Sequence, residues 1–276
     1  MRVPNQRRLL PFAVGGAAGV LAGLFGIGGG FVLVPAFTGL LGLSQRRASG
    51  TSLVAVIPIS AAAAAGYATS GHVDLFVAAL LVGGGLVGAE IGTRLLDVLP
   101  LRVIRLGFAA LLMVAAARLV IGPATGGRMH FGAGTDAALF ALGGFTGLLS
   151  GLLGIGGGFI MVPGMLLLAS MPTALAKGTS LAAIIPTAIF ATTRNVRRGH
   201  ADVKLGLTVG STGAISALAA SRLFVGLNPK TSNVLLGGLL LLLAASMARL
   251  GILDADDDDG RSSGQQSNGN IDVFGS

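Results

Sequence analysis

Two glycine runs, Gly26-Ile-Gly-Gly-Gly30 and Gly154-Ile-Gly-Gly-Gly158, are the groups in this chain best suited to handling a solute. Successive glycines permit positive φ, bare their N–H groups and let a ligand reach the main chain. A helix starting just after each turn, near Phe31 or Phe159, aims partial positive charge at an anion. Downstream of each stands a neutral hydroxyl pair, in Gly50-Thr51-Ser52-Leu53 and Gly178-Thr179-Ser180-Leu181. At the start of a further helix such hydroxyls suit an oxyanion without a permanent charge, and they equally suit N-capping. The candidate substrate-binding residues are therefore Gly28, Gly29, Gly30, Thr51 and Ser52, with Gly156, Gly157, Gly158, Thr179 and Ser180. The competing role for glycine in such a chain is close helix packing, which is expected of Gly83–Gly85 and makes Gly84→Leu a mild control.

Ionisable residues add little. Glu90 and Lys177 are auxiliary candidates, since a charge inside an apolar segment is a functional suspect by default. Glu90 lies four residues before Arg94, on one helical face, which favours a structural ion pair over proton coupling. Lys177, next to Gly178 at the mouth of the second glycine hairpin, is placed to attract an anion. Arg94 and Arg222 close segments and are expected to snorkel, as Arg118 is to anchor at an interface. His72 and His200 sit in Gly-His-x-Asp turns whose Asp is expected to cap the next helix; Arg194 and Asn195 are weak candidates. No His-Glu-x-x-His, paired intramembrane Asp or Ser/His/Asp set is present, so no enzyme, metal site or cofactor is expected.

The elements that must position these groups are apolar. Hydrophobic residues make up 53% of the chain and charged residues 11%, against about 25% in soluble domains. Long stretches such as 9–43, 51–89 and 137–176 carry no charge, so the protein is a polytopic helical membrane protein. Period-two alternation is missing, which excludes a barrel. A net charge of +8 is scattered between segments with no basic, aromatic-laced face, so nucleic acid is not a partner. Cysteine is absent.

The chain repeats itself 128 residues on. Gly23–Pro35 and Gly151–Pro163 agree at ten of thirteen positions, and the Gly-Thr-Ser-Leu and Gly-His-x-Asp motifs recur in the same register. Each repeat holds four apolar segments: 9–43, 51–70, 75–93 and 103–121, then 137–169, 178–194, 204–221 and 231–250. The expected organisation is a first membrane repeat at 9–121, a linker at 122–136, a second repeat at 137–251 and a disordered acidic tail at 252–276. Thirty-five residues would reach about 52 Å, too long for one crossing of about 30 Å, so each leading segment is expected to be a hairpin turning at its glycines. Pro58 and Pro186 are expected to kink the helices that follow. With both hairpins entering and leaving on one side, the repeats are inverted. Lys and Arg then divide fourteen inside to five outside, with Lys177 among the five and both termini cytoplasmic.

On the doubled Gly-x-Gly-Gly-Gly-(x)4-Pro and Gly-Thr-Ser-Leu motifs, and the closing Leu99-Pro-Leu-Arg102 … Ala-Arg-Leu119 pattern, the chain resembles the TauE/SafE-type sulfite exporter family over residues 9–251. The resemblance implies a permease for sulfite, thiosulfate, sulfonates or similar small anions. The residues alone imply a secondary transporter for a small solute, with its site at the repeat interface and a possible coupling proton or cation. An anion channel and a membrane-embedded enzyme or accessory subunit are the rivals.

Overall fold

The computed structural model describes residues 4–95, 132–153, 158–228 and 230–245, together with part of 110–121. The linker expected at 122–136 lies outside the described residues except for its last few, and the tail expected at 252–276 lies wholly outside them. The described elements are all helices. In the first half they are α1 (Pro4–Phe25), α2 (Gly30–Gly39), α3 (Gln45–Ala68), α4 (Leu75–Leu95) and α5, whose described residues fall between 110 and 121. The second half repeats the order as α6 (Ala133–Leu153), α7 (Gly158–Leu168), α8 (Thr173–Arg197), α9 (Val203–Val225) and α10 (Lys230–Ala245).

The hairpins have unequal arms. At 1.5 Å per residue the 22 residues of α1 reach about 33 Å, whereas the 10 of α2 reach about 15 Å, half of a bilayer core. The chain doubles back between them, because a Cβ on Gly29 would stand 2.9 Å from the carbonyl oxygen of Ala18 on α1. In the second half, α6 (21 residues) and α7 (11 residues) show the same inequality. Among the described residues, three helices, α3, α8 and α9, are long and apolar enough by themselves to cross a membrane.

Glycine makes the contacts between halves. Alpha-helices in lipid gain little from hydrophobic association, so close backbone packing of small residues holds them together. A Cβ on Gly15 or Gly19 of α1 would lie 2.3 or 2.0 Å from the carbonyl oxygens of Val209 and Gly213 on α9. Their counterparts Gly143 and Gly147 on α6 would meet Leu81 and Gly85 on α4 at the same 2.3 and 2.0 Å. The repeat is thus a repeat in three dimensions, with each half's first helix seated on the other half's fourth. Gly84 is a packing glycine, but not a mild one: its Cβ would lie 1.9 Å from the Phe140 carbonyl oxygen, so Gly84→Leu cannot serve as a neutral control.

At the centre, α3 and α8 run side by side in opposite directions. The beginning of α3, at Gly50, abuts the carbonyl of His200 just beyond the end of α8, and Gly178 near the start of α8 abuts His72 beyond the end of α3. Both helices begin earlier than the charge-free segments suggest, at Gln45 and Thr173 rather than 51 and 178. Exposed Arg46 and Arg47 fit in the first turn of α3, while Lys177 is buried within α8, so charge did not mark these boundaries. Both helices continue through Pro58 and Pro186. Leu75, Ile215, Leu223 and Leu242 face outward on α4, α9 and α10, the apolar rim that lipid requires.

Candidate functional site

The glycine turns lie where the two halves meet. Gly26, Gly28 and Gly29 take φ of 73°, 73° and 77°, the left-handed region that favours glycine, and Gly29 is the N-cap of α2 with no side-chain bond capping it. The half-helix α2 starts at Gly30, one residue before the expected Phe31, and the described part of α7 begins at Gly158. Their second residues, Phe31 and Phe159, are repeat counterparts and face one another with ring centroids 6.5 Å apart. Counterparts can touch only close to the axis that exchanges the halves, so the two helix N-termini converge there. Gly28, Gly29, Gly30 and Gly158 are all buried. Gly156 and Gly157 lie outside the described residues.

The hydroxyl pairs belong to helix interiors rather than helix starts. Thr51 and Thr179 occupy the second turn of α3 and α8, fully buried. Thr51 Oγ1 accepts the backbone N–H of Asp202 at 2.9 Å, and Thr179 Oγ1 accepts that of Asp74 at 2.9 Å. Each threonine thus ties its helix to the Gly-His-x-Asp turn of the opposite half, while the adjacent Gly50 or Gly178 allows the approach. The aspartates cap as expected. Asp74 Oδ1 accepts from Phe76 and Val77 N–H, and Asp202 Oδ1 from Leu205 N–H, each at 3.0 Å. Ser52 Oγ donates to the Ser49 carbonyl at 2.9 Å, whereas Ser180 Oγ reaches toward the Gly158 carbonyl at 3.5 Å, at the head of the second half-helix.

The auxiliary residues part company. Lys177 is 2% exposed, so it is not an outer-loop charge. Its stem lies on the first turn, not the second: a Cβ on Gly26 would be 2.6 Å from Lys177 Cα. Its ammonium donates to Ser232 Oγ at 2.8 Å, and no carboxylate among the described residues pairs with it. Thr173 donates to Asn233 at 2.5 Å one helical turn away, so α10 meets α8 through polar groups. Glu90 pairs across the halves with Arg194, which also stacks on Phe190 at 4.7 Å. The pair expected with Arg94 involves a side chain outside the described residues. Both partners of the Glu90–Arg194 pair are substantially exposed, 53% and 38%, where an ion pair is worth little. Glu90's partner Arg194 stands ten residues, about 15 Å, along α8 from Ile184, which marks the level of the first turn.

Two residues passed over by the sequence reading matter here. Tyr67 is buried and donates its hydroxyl to the Gly23 carbonyl at 2.8 Å, bracing the last turn of α1. Ser60 is wholly buried beside Gly28. The available signal was asymmetry, since their counterparts are Asn195 and Ala188. No cluster of His, Asp or Glu able to hold a metal occurs among the described residues. The turns thus gather backbone amides, the Ser60 hydroxyl and the stem of Lys177 at one place between the halves.

Comparison with known proteins agrees with this architecture. The model of the sulfite exporter TauE/SafE family matches residues 2–119 and 139–271. A probable membrane transporter protein of Xylella fastidiosa (strain 9a5c) is 29% identical over 231 residues, covering 79% of this chain and 86% of that one. The probable membrane transporter protein YunE of Bacillus subtilis (strain 168) is 26% identical, covering 67% and 77%. YdhB, a probable membrane transporter protein of the same organism, is 34% identical over 87 residues, 32% of this chain and 36% of that one. No solved structure matches the chain. The match at both halves, on helices joined through glycine turns, establishes that this chain belongs to the sulfite exporter TauE/SafE family of membrane transporters.

Proposed function

We propose that the protein is a carrier for a small anion, a sulfur oxyanion or organosulfonate such as sulfite, thiosulfate or sulfoacetate, which it moves by alternating access between inverted halves. The observation that carries this reading is the convergence of two uncharged half-helix N-termini near the axis between the halves, at glycines that are buried where described. A helix N-terminus offers an anion oriented amides and partial positive charge. Lys177, buried on the first turn without a carboxylate partner among the described residues, supplies a full charge that a bound anion would balance. Gly28–Gly30 and Gly156–Gly158 are the backbone contacts in this reading, and Ser52 and Ser180 the neighbouring hydroxyls. Thr51 and Thr179 act from behind, because their oxygens already hold the opposite half.

Inversion is supported by α3 and α8, counterparts that run antiparallel, as corresponding helices do when the exchanging axis lies in the membrane plane. Arg46 and Arg47 share one end of that pair with Arg197, Arg198 and Lys204, which the positive-inside rule assigns to the cytoplasm along with both termini. A buried site between two duplicated halves is the arrangement of secondary carriers, and it favours a carrier over a channel. The test is flux into liposomes holding the purified chain. Saturable, gradient-driven uptake of sulfite, thiosulfate or sulfoacetate, exceeding that of acetate and taurine, is expected. Ohmic current would make it a channel, and no flux of any anion would end the reading.

A further inference from the structure

We propose that the anion sits off the axis, at the first glycine turn, and that Ser60 is a dedicated hydrogen-bond donor to it. This rests on the carrier reading above and narrows it to one half of a duplicated site. Ser60 lies inside α3, is fully buried, and its Oγ has no hydrogen-bond partner among the described residues. A buried hydroxyl left unpaired is costly, so its persistence in an apolar core calls for a partner that comes and goes. The oxygen faces the turn: it is the nearest atom, at 3.0 Å, to where a Cβ on Gly28 would stand. Two residues on begins α2, a ten-residue helix whose N-cap Gly29 receives no side-chain bond. An unpaired hydroxyl and an uncapped helix start, brought together by different segments, form an oxyanion cradle.

The second half does not reproduce it. The counterpart of Ser60 is Ala188, and that of Lys177 is Ser49. At the head of α7, a Cβ on Gly158 would meet Ile184 Cδ1 at 2.4 Å and the carbonyl oxygen of Ile27 at 3.0 Å. Ile184 Cδ1 also stands 3.2 Å from where a Cβ on Gly28 would be, so what sets this position apart is the Ile27 carbonyl, an acceptor oxygen that repels an anion where the first turn offers the Ser60 hydroxyl. The unduplicated polar groups instead gather on the first turn. Lys177 lies against Gly26 at one end, and Ser60 against Gly28 at the other, where Ile184 marks a level about 10 Å further along α8. The duplication builds the scaffold, and the asymmetry places the charge.

The full chain in detergent allows a two-part test. By titration calorimetry with thiosulfate, Ser60→Ala should raise Kd about ten- to a hundredfold, the value of one hydrogen bond to a charged group. Its melting temperature should stay level or rise, since an unpaired buried hydroxyl is removed, and Ala188→Ser should leave Kd within about twofold. Unchanged affinity in Ser60→Ala, or affinity lost only in step with melting temperature, overturns the proposal. The second part needs no substrate. The chain has no cysteine, so Ser60→Cys carries a unique thiol. In liposomes it should react faster with an anionic ethylsulfonate thiosulfonate than with the trimethylammonium analogue, after correction for their rates with a free thiol. Equal rates, a faster cationic reagent, or no reaction with either refutes the subsite. If wild-type protein moves no anion while Ser60→Cys still prefers the anionic reagent, the carrier reading fails and the anion subsite stands.

Discussion

Replacing Thr51 and Thr179 by valine separates the two roles open to these hydroxyls. Valine keeps the shape and deletes the oxygen that accepts the Asp202 or Asp74 amide across the halves. Each amide then loses its partner. The usual cost of an unpaired donor is about 1–3 kcal/mol, and because these turns are only half-buried the loss should fall near 1–2 kcal/mol per site. The two bonds lie at opposite ends of the α3–α8 pair, so the double variant should be additive to within about 0.5 kcal/mol, near 2–4 kcal/mol in all. Against a total stability of order 5–15 kcal/mol this is readily measured. The assay is reversible unfolding in mixed micelles by sodium dodecyl sulfate, followed by circular dichroism, alongside thiosulfate affinity under native conditions. Thr51→Ser and Thr179→Ser keep an acceptor and should recover most of the loss. The expected pattern is lower stability with Kd changed less than about threefold. Full stability with a tenfold weaker Kd would refute the reasoning, since the hydroxyls would then serve the substrate and not the joint between halves.

The other predictions follow from the same geometry. Gly29→Ala, which adds a Cβ at positive φ within 2.9 Å of the Ala18 carbonyl oxygen, should abolish anion uptake in liposomes while Gly39→Ala, with open space around it, transports normally. Gly84→Ala should cut the yield of folded protein by size-exclusion chromatography because it meets the Phe140 carbonyl, whereas Gly16→Ala, in open space within α1, should melt at or above the wild-type temperature. Lys177→Met retains the stem and removes the ammonium; thiosulfate affinity should fall at least tenfold with folding preserved, and unchanged affinity would free Lys177 of any role. Arg46→Cys and Arg197→Cys should be labelled from one side of the membrane only, and Arg128→Cys from the other; labelling of the first two from opposite sides would break the inverted arrangement.

Much of this protein is written along the chain. Runs of twenty or more apolar residues without a charge belong in helices within a bilayer, so the all-helical membrane class follows from composition. Duplication at a fixed offset requires like folds, and consecutive glycines followed by proline mark a break that no continuous helix would choose. Hence the start of the second hairpin arm was legible to within a residue, expected near Phe31 and found at Gly30. Local rules also placed Asp74 and Asp202 as caps, because a cap bonds within its own turn. What the chain alone left open were relations between distant segments. Thr51 and Thr179 look like caps in sequence, but their partners lie 151 and 105 residues away, on the opposite half. Lys177 reads as a loop charge because charge usually marks a boundary, yet α8 starts four residues earlier and the ammonium finds Ser232 on α10. Glu90 has a basic neighbour one turn along its own helix, and the fold brings it a second one, Arg194 of the other half, which local spacing could not reveal. Ser60 is one hydroxyl in an apolar run until packing lays the first glycine turn against it. Helices and turns obey nearest-neighbour rules and so can be deduced locally. The solute site is made where two copies of the repeat cross, and only the crossing decides which side chains meet there.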